Sequence, residues 1–249
     1  MGRVVILGSG YAIAEDGHEN THLLIEQGEH CVLVDSASSP IVRLKKAGIA
    51  FDQVTDLILT HFHPDHVAGV PGFLMESWLL GRKHPLQIYG LPHTMDRLEI
   101  MMGLFDWKKW PNFYPLIFHR VPDQEMSLII GSSSMRLYTS PVKHLLPTIG
   151  LRVEFLPEGK TMAYSCDTEP CPQVIELAHQ VDVLIHEATG GSVGHSSAAQ
   201  AALVARQAEA RSLCLIHYKG SEQAAKLEEA RKVFEGSVSL ATDGLVMDF

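Results

Sequence analysis

Four side chains of metal-binding type fall within six positions of one another: His61, His63, Asp65 and His66, in the stretch L-I-L-T-H-F-H-P-D-H-V-A-G at 57–69. Imidazole and carboxylate together suit zinc, manganese or iron better than magnesium, and this density of them points to metal binding rather than to a solvated loop. In extended backbone, residues two apart face the same way, so His61 and His63 can grip one cation together. Asp65 and His66 lie at the turn into the next element and face elsewhere. The natural reading is two adjacent cations.

The second half of the chain adds such residues one at a time. His144 follows a strand ending at Tyr138 and precedes another, Ile149–Phe155; Asp167 ends Thr161–Ser165; His217 ends Ser212–Ile216. Strand ends are where binding residues collect in layered α/β folds. A carboxylate at Asp167 can bridge two cations, with His144 completing the first site and His217 the second.

These residues need a scaffold, and the chain reads as one. Val4–Leu7 is a strand running into the turn Gly8-Ser9-Gly10, where the third glycine of a dinucleotide-binding loop is missing. Thr21–Ile25 and Cys31–Asp35 form a hairpin about Gln27, Gly28 and Glu29. Asp35, at a strand end, is read first as a cap or turn residue, with a bond to a metal-bound imidazole as the alternative. Pro40–Ala47 is a short helix stopped by Gly48, and Leu57–Leu59 a buried strand. Val67–Leu80 reads as one helix ending at Gly81, Pro85–Tyr89 as a strand, Pro92–Met102 as a helix. Residues 103–119 are rich in aromatics beside Lys108 and Lys109; such a stretch stacks bases or, more commonly, lines a core edge, a lid or a dimer contact. Met126–Ile130 and Met135–Tyr138 are strands.

Composition narrows the class. At 249 residues, 46% of them hydrophobic and 20% charged, the chain can bury a full core, and no linker divides it, so residues 1–249 are expected to form one domain. A formal net charge of −9 argues against an extended nucleic-acid-binding face, because polyanions are held by Lys and Arg, but not against a small anion held by metals. Cys31, Cys166, Cys171 and Cys214 lack C-x-x-C pairing, which speaks for a reducing compartment. Neither a signal peptide nor an apolar run of about 18 residues is found, so the expected location is cytoplasmic, away from membranes.

T-H-F-H-P-D-H, His144, Y-S-C-D-T around Asp167 and I-H-Y around His217, in that order, resemble the metallo-β-lactamase superfamily over essentially the whole chain. I-H-E-A-T at 185–189, G-H-S-S-A-A-Q-A-A at 194–202 and P-L-Q-I-Y-G at 85–90 resemble its ribonuclease Z-like phosphodiesterase branch. The resemblance implies an α/β fold, an αβ/βα sandwich of two mixed sheets flanked by helices, and a homodimer with the aromatic stretch near the cleft. It also implies two zinc ions, with manganese or iron as alternatives. One is held by His61, His63 and His144, the other by Asp65, His66 and His217, with Asp167 between.

The chemistry agrees with that branch. Two divalent ions about 3.5 to 4 Å apart can clamp the attacking and leaving oxygens of a phosphodiester and lower the pKa of a bridging water. Asp65 would orient or deprotonate that water, and Glu187 and His195 resemble the pair that hands a proton to the leaving oxygen. A strand-end cap for Glu187 and a helix-start residue for His195 remain open, and His186 is read as structural. Only 23 positions separate His144 from Asp167, where many ribonucleases Z insert a long tRNA-gripping arm, and V-D-S-A-S-S-P at 34–40 replaces their glycine-rich motif. A compact relative acting on a small or cyclic nucleotide or an RNA end is therefore expected. The alternative is a glyoxalase-like thioesterase or lactonase, whose leaving groups give a Glu187/His195 dyad less to do; flavodiiron-type redox use would place Glu where His63 stands.

Overall fold

Strands that are apolar on both faces need cover on both sides, and that need sets the architecture of this chain, which a computed structural model describes over residues 1–249. The first sheet opens with an antiparallel meander of β1 (Arg3–Gly8), β2 (His22–Gln27) and β3 (His30–Val34). There follow α1 (Pro40–Lys46), β4 (Asp56–Ile58), α2 (Pro64–Val67), α3 (Val70–Leu79), β5 (Leu86–Gly90), α4 (Pro92–Gly103) and β6 (Leu116–Arg120), with β3 to β6 parallel. The second sheet begins with the antiparallel strands β7 (Ser127–Gly131), β8 (Met135–Val142), β9 (Thr148–Phe155) and β10 (Lys160–Tyr164). It continues in parallel through α5 (Pro172–Leu177), β11 (Val183–Glu187), α6 (Ala198–Gln207), β12 (Ser212–Ile216), α7 (Gln223–Arg231) and β13 (Ser237–Leu240). Finally β14 (Val246–Asp248) returns to pair with β1. The orders are β14-β1-β2-β3-β4-β5-β6 and β13-β12-β11-β10-β9-β8-β7, so both sheets are mixed.

The period-two alternation of strands sorts the apolar residues into layers. Val4 and Ile6 of β1 face the second sheet, where they join Ile149, Leu151, Val153 and Ile216 in the core between the sheets. Val5 and Leu7 face the other way, into a core shared with Leu44 of α1, Phe73 and Leu74 of α3 and Leu98 of α4. The outer face of the second sheet is closed by α5, α6 and α7, with Ala201, Ala205 and Ala208 allowing close approach to Leu213 and Leu215. This is the αβ/βα sandwich expected from the resemblance. No helix is long and apolar enough to cross a membrane.

Strand boundaries move by one or two residues from the sequence reading, except that β8 runs on to Val142 because its ladder with β9 continues to Thr148. The single helix expected over Val67–Leu80 is two. Gly69 packs onto the chain following β3, donating its N–H to Ser36 O at 2.8 Å, and a Cβ there would lie 2.7 Å from the same oxygen. The Ser36 amide in turn donates to His66 O at 2.8 Å, so the break ties the turn carrying His66 to the end of β3. The aromatic stretch lines a core edge: Trp107, Trp110, Phe113 and Phe118 pack against the α3/α4 core, and Trp78 stacks on Trp110 with centroids 5.2 Å apart. Leu104 and Phe105 remain exposed.

Candidate metal centre

All but one of the sequence-derived site residues lie just beyond the C-terminal ends of strands in the parallel halves of the two sheets. His61, His63, Asp65 and His66 follow β4, Asp167 follows β10, Glu187 ends β11, His195 precedes α6, and His217 follows β12. His144 comes from the β8–β9 connection. The Ile149 amide of that second sheet donates to Thr60 O at 3.1 Å, joining the sheets at the site. Asp35, Cys166 and His217 all take left-handed backbone, with φ of 61°, 53° and 55°. Such conformations cost about 1–3 kcal/mol each and persist where surroundings over-determine them.

Three imidazoles converge first. His63 Nδ1 lies 3.0 Å from His61 Nε2 and 3.1 Å from His144 Nε2. The far nitrogens settle the tautomers. His144 Nδ1 must donate to the Gly194 carbonyl at 2.6 Å, which leaves its Nε2 unprotonated. Thr60 Oγ1 gives its proton to Asp35 Oδ2 at 2.7 Å and so accepts from His61 Nδ1 at 3.1 Å, again leaving Nε2 bare. Two bare nitrogens, His61 Nε2 and His144 Nε2, converging on a third imidazole nitrogen at these distances form a donor set that can hold a cation. Burial, the largest influence, together with the charge of His66 holds the His61 pKa well below the usual imidazole range, against the opposing pull of Asp167.

The second group is Asp65, His66 and His217. His66 Nδ1 donates to Asp35 Oδ2 at 2.7 Å, and its buried Nε2 has no hydrogen-bond partner. Thr189 Oγ1 donates to His217 O at 2.8 Å and accepts from His217 Nδ1 at 2.7 Å, so His217 Nε2 is free, 3.4 Å from Asp65 Oδ2. Asp167 lies between the groups: its Oδ2 is 3.9 Å from His61 Nε2, 4.0 Å from His144 Nε2 and 3.6 Å from His66 Nε2. Its Oδ1 is buried without a hydrogen-bond partner. Orphaned buried polar atoms are rare in folded proteins, and a histidine nitrogen and a carboxylate oxygen orphaned on neighbouring side chains fit a divalent cation. Burial opposes ionisation of Asp167, yet the imidazoles packed around it, His217 and His66 first, hold its pKa well below the carboxylate range.

Glu187 and His195 stand beside this cluster. The buried Glu187 Oε1 accepts from His195 Nδ1 at 3.0 Å, from the Ser196 amide at 2.9 Å and from the Thr168 amide at 3.3 Å, and Oε2 accepts from the Thr189 amide at 2.8 Å. Burial would lower the His195 pKa, but the Glu187 hydrogen bond and charge raise it above the usual value. His63, Asp65, Asp167, His195 and His217 line one cavity of about 220 Å³, together with Thr189 and Ala12. His186 is buried on the other face of β11, its Nδ1 bonded to Glu187 O at 2.8 Å.

Asp35 corrects the first reading of it as a cap: it accepts from the Thr60 amide, the Thr60 hydroxyl and His66, and so orients both groups of histidines. Thr60, Thr189 and Cys166, whose Sγ is 3.6 Å from His61 Nδ1, were not singled out in the sequence. The I-H-E-A-T motif contains Thr189 and was the available signal for it.

The chain is similar to curated relatives and solved structures along its length. It is 27% identical to ribonuclease Z of Azobacteroides pseudotrichonymphae, with 98% of this chain and 97% of that one covered. The fold matches the metallo-β-lactamase fold protein YhfI from Bacillus subtilis at a TM-score of 0.80 and 22% identity, covering 99% and 98% of the two chains. Human tRNase Z, short form, matches with the same TM-score and coverage at 23% identity. Residues 3–238 match the family model described as Anti-Pycsar protein Apyc1. With that match running from the first strand into β13, this chain belongs to the Anti-Pycsar protein Apyc1 family, among the ribonuclease Z-like metal-dependent hydrolases of the metallo-β-lactamase fold.

Proposed function

We propose that this chain, acting as one domain, hydrolyses phosphodiesters in a small or cyclic nucleotide or at an RNA end, using two divalent ions. The donor set suits zinc, with manganese or iron as substitutes. His61, His63 and His144 would hold one ion and Asp65, His66 and His217 the other, with Asp167 shared. With both bound, a water's pKa falls towards neutrality and charge on the phosphoryl oxygens is neutralised.

The observation that carries the reading is His195, a histidine outside both groups, held by buried Glu187 with its Nδ1 4.0 Å from Asp167 Oδ2. Because Nδ1–H is engaged by Glu187, Nε2 is the atom that hands a proton to the leaving oxygen. Glu187 holds the ring in place and favours its protonated form. Asp65 orients the attacking water and accepts its proton. An alkoxide leaving from phosphorus needs that proton, whereas a thiolate, far less basic, needs it less. The alignment with the Azobacteroides ribonuclease Z spans 285 positions against 249 residues here, so that relative carries residues with no counterpart in this chain, which supports a compact substrate.

Purified protein assayed on a cyclic nucleotide, a dinucleotide, bis-p-nitrophenyl phosphate, a thioester and a lactone tests this. Turnover of the phosphodiesters is expected; turnover of the thioester or lactone alone would overturn it. We also propose a homodimer through the exposed Leu79, Leu104 and Phe105 at the ends of α3 and α4, visible as twice the chain mass in light scattering at micromolar concentration. The four cysteines, all free and buried, suit a reducing, cytoplasmic setting.

A further inference from the structure

Residues 190–194 join the strand that ends in Glu187 to His195, and three of these five are glycine. Within the loop, Ser192 N donates to Gly190 O, while Gly190 N and the His195 amide bond back to Ser196 O and Ser192 O. Val193 at its tip is 75% exposed. Within this loop Gly194 alone bonds to the chain outside residues 190–196, and it does so twice. Its carbonyl accepts from His144 Nδ1 at 2.6 Å, and its N–H donates to Glu169 Oε1 at 3.0 Å. Its φ is +84°, and a Cβ would lie 2.9 Å from Leu145 Cγ and 3.0 Å from His144 Nδ1, so only glycine fits.

Glu169 is itself fixed to the segment carrying His144. Its backbone N–H donates to Lys143 O at 2.8 Å, and its Oε2 pairs with Lys143 Nζ at 2.7 Å. One carboxylate, two residues beyond Asp167, thus closes a ring of contacts through Lys143, His144 and Gly194. From these contacts we infer that Glu169 is a positioning residue, setting His144 and His195 against each other through the backbone of Gly194. The inference rests on the reading of His144 as a ligand and His195 as proton donor. Without Glu169 the Val193–Gly194 peptide loses its anchor, so the φ and ψ of Gly194 are free to change, which shifts the Gly194 carbonyl that orients His144 and releases the residue next to His195. The exposed Lys143–Glu169 ion pair is not the active element, since such pairs contribute little.

Three variants separate these roles: Glu169→Ala removes the acceptor, Glu169→Gln keeps an amide oxygen for Gly194 N–H, and Lys143→Ala removes only the ion pair. In metal-free protein, exchange of the Gly194 and His195 amides should be at least about tenfold faster in Glu169→Ala and at the wild-type rate in the other two. Zinc titration should show about 10-fold to 100-fold weaker binding of one ion in Glu169→Ala alone, the usual effect of losing a partner that orients a ligand. At saturating zinc, kcat on a dinucleotide should fall more than kcat on bis-p-nitrophenyl phosphate. Wild-type exchange and zinc affinity in Glu169→Ala would overturn the inference. So would equal losses in Glu169→Gln, which would assign the effect to charge. Exchange and zinc binding involve no substrate, so an inactive wild-type protein would overturn the phosphodiesterase reading and leave this one to be decided by those two measurements.

Discussion

Asp35 and His66 are 31 residues apart in sequence, yet Asp35 Oδ2 accepts from His66 Nδ1 at 2.7 Å, both side chains fully buried. The carboxylate can only accept, so the imidazole proton is pinned on Nδ1 and Nε2 is turned toward Asp65 and Asp167. The same carboxylate holds the Thr60 hydroxyl that orients His61, so one residue serves both histidine groups.

Asp35→Asn should therefore weaken binding at the His66 site by about 10-fold to 100-fold, the usual effect of removing a carboxylate behind a metal-bound imidazole. Asn tolerates the left-handed backbone at 35, so the fold should survive. Asp35→Ala strands the Thr60 amide as well and should cost about 1–3 kcal/mol of stability besides. Zinc titration and thermal melting of the two variants check this; an Asparagine variant with wild-type affinity would show that the hydrogen bond does not matter to the ion.

His195→Ala should keep both ions, since His195 belongs to neither ligand group. It should slow hydrolysis of a dinucleotide or cyclic nucleotide by about 10² to 10⁴, the usual worth of general acid catalysis. A p-nitrophenolate departs without a proton, so bis-p-nitrophenyl phosphate should be cleaved at close to the normal rate. His66→Ala and Asp167→Ala should damage both reactions. Equal losses on both substrates in His195→Ala, with metal retained, would return His195 to a structural role.

Elemental analysis of zinc-reconstituted protein should find about two ions per chain. Stripping them leaves His66 Nε2 and Asp167 Oδ1 without partners. At an ion concentration of about 100 times Kd, one bound ion adds about 2.7 kcal/mol to stability. For a chain of this size the melting temperature should then fall by about 5–10 °C for each ion removed by chelation. No more than one ion after reconstitution, or an unchanged melting temperature, would count against the two-ion site.

Asp182 gives a pH dependence away from the site. Burial opposes its ionisation, but the Thr161 amide at 2.9 Å, Lys160 and Arg211 outweigh this and hold its pKa below the usual carboxylate value. A depressed folded-state pKa contributes stability that is present above the unfolded value, about 3.9, and is lost as pH falls through the folded one. Asp182→Asn should thus destabilise the protein by about 1 kcal/mol at pH 7, with the gap to wild type closing in acid well below the usual carboxylate range. Denaturant melts at both pH values read it directly; a gap that persists in acid would mean that packing rather than charge is at stake.

Donor type and strand position were legible in the sequence because both are local. Donor types are read directly, and a strand's apolar run ends where the chain leaves the sheet, so His61, His63, Asp65 and His66, then His144, Asp167 and His217, could be placed at strand ends before any fold was known. Both faces of β1 being apolar likewise requires cover on each side, which already excludes a sheet with a wet face. What tertiary structure alone decided is which nitrogen of each ring is bare. That depends on hydrogen-bond partners brought from elsewhere in the chain: Asp35 for His66, Thr189 for His217, Gly194 for His144. The break at Gly69 had a local signal, since Pro71 stands in the first turn of α3, where proline starts a helix; what only tertiary structure supplied is the approach of Ser36 to Gly69, which ties that break to the end of β3.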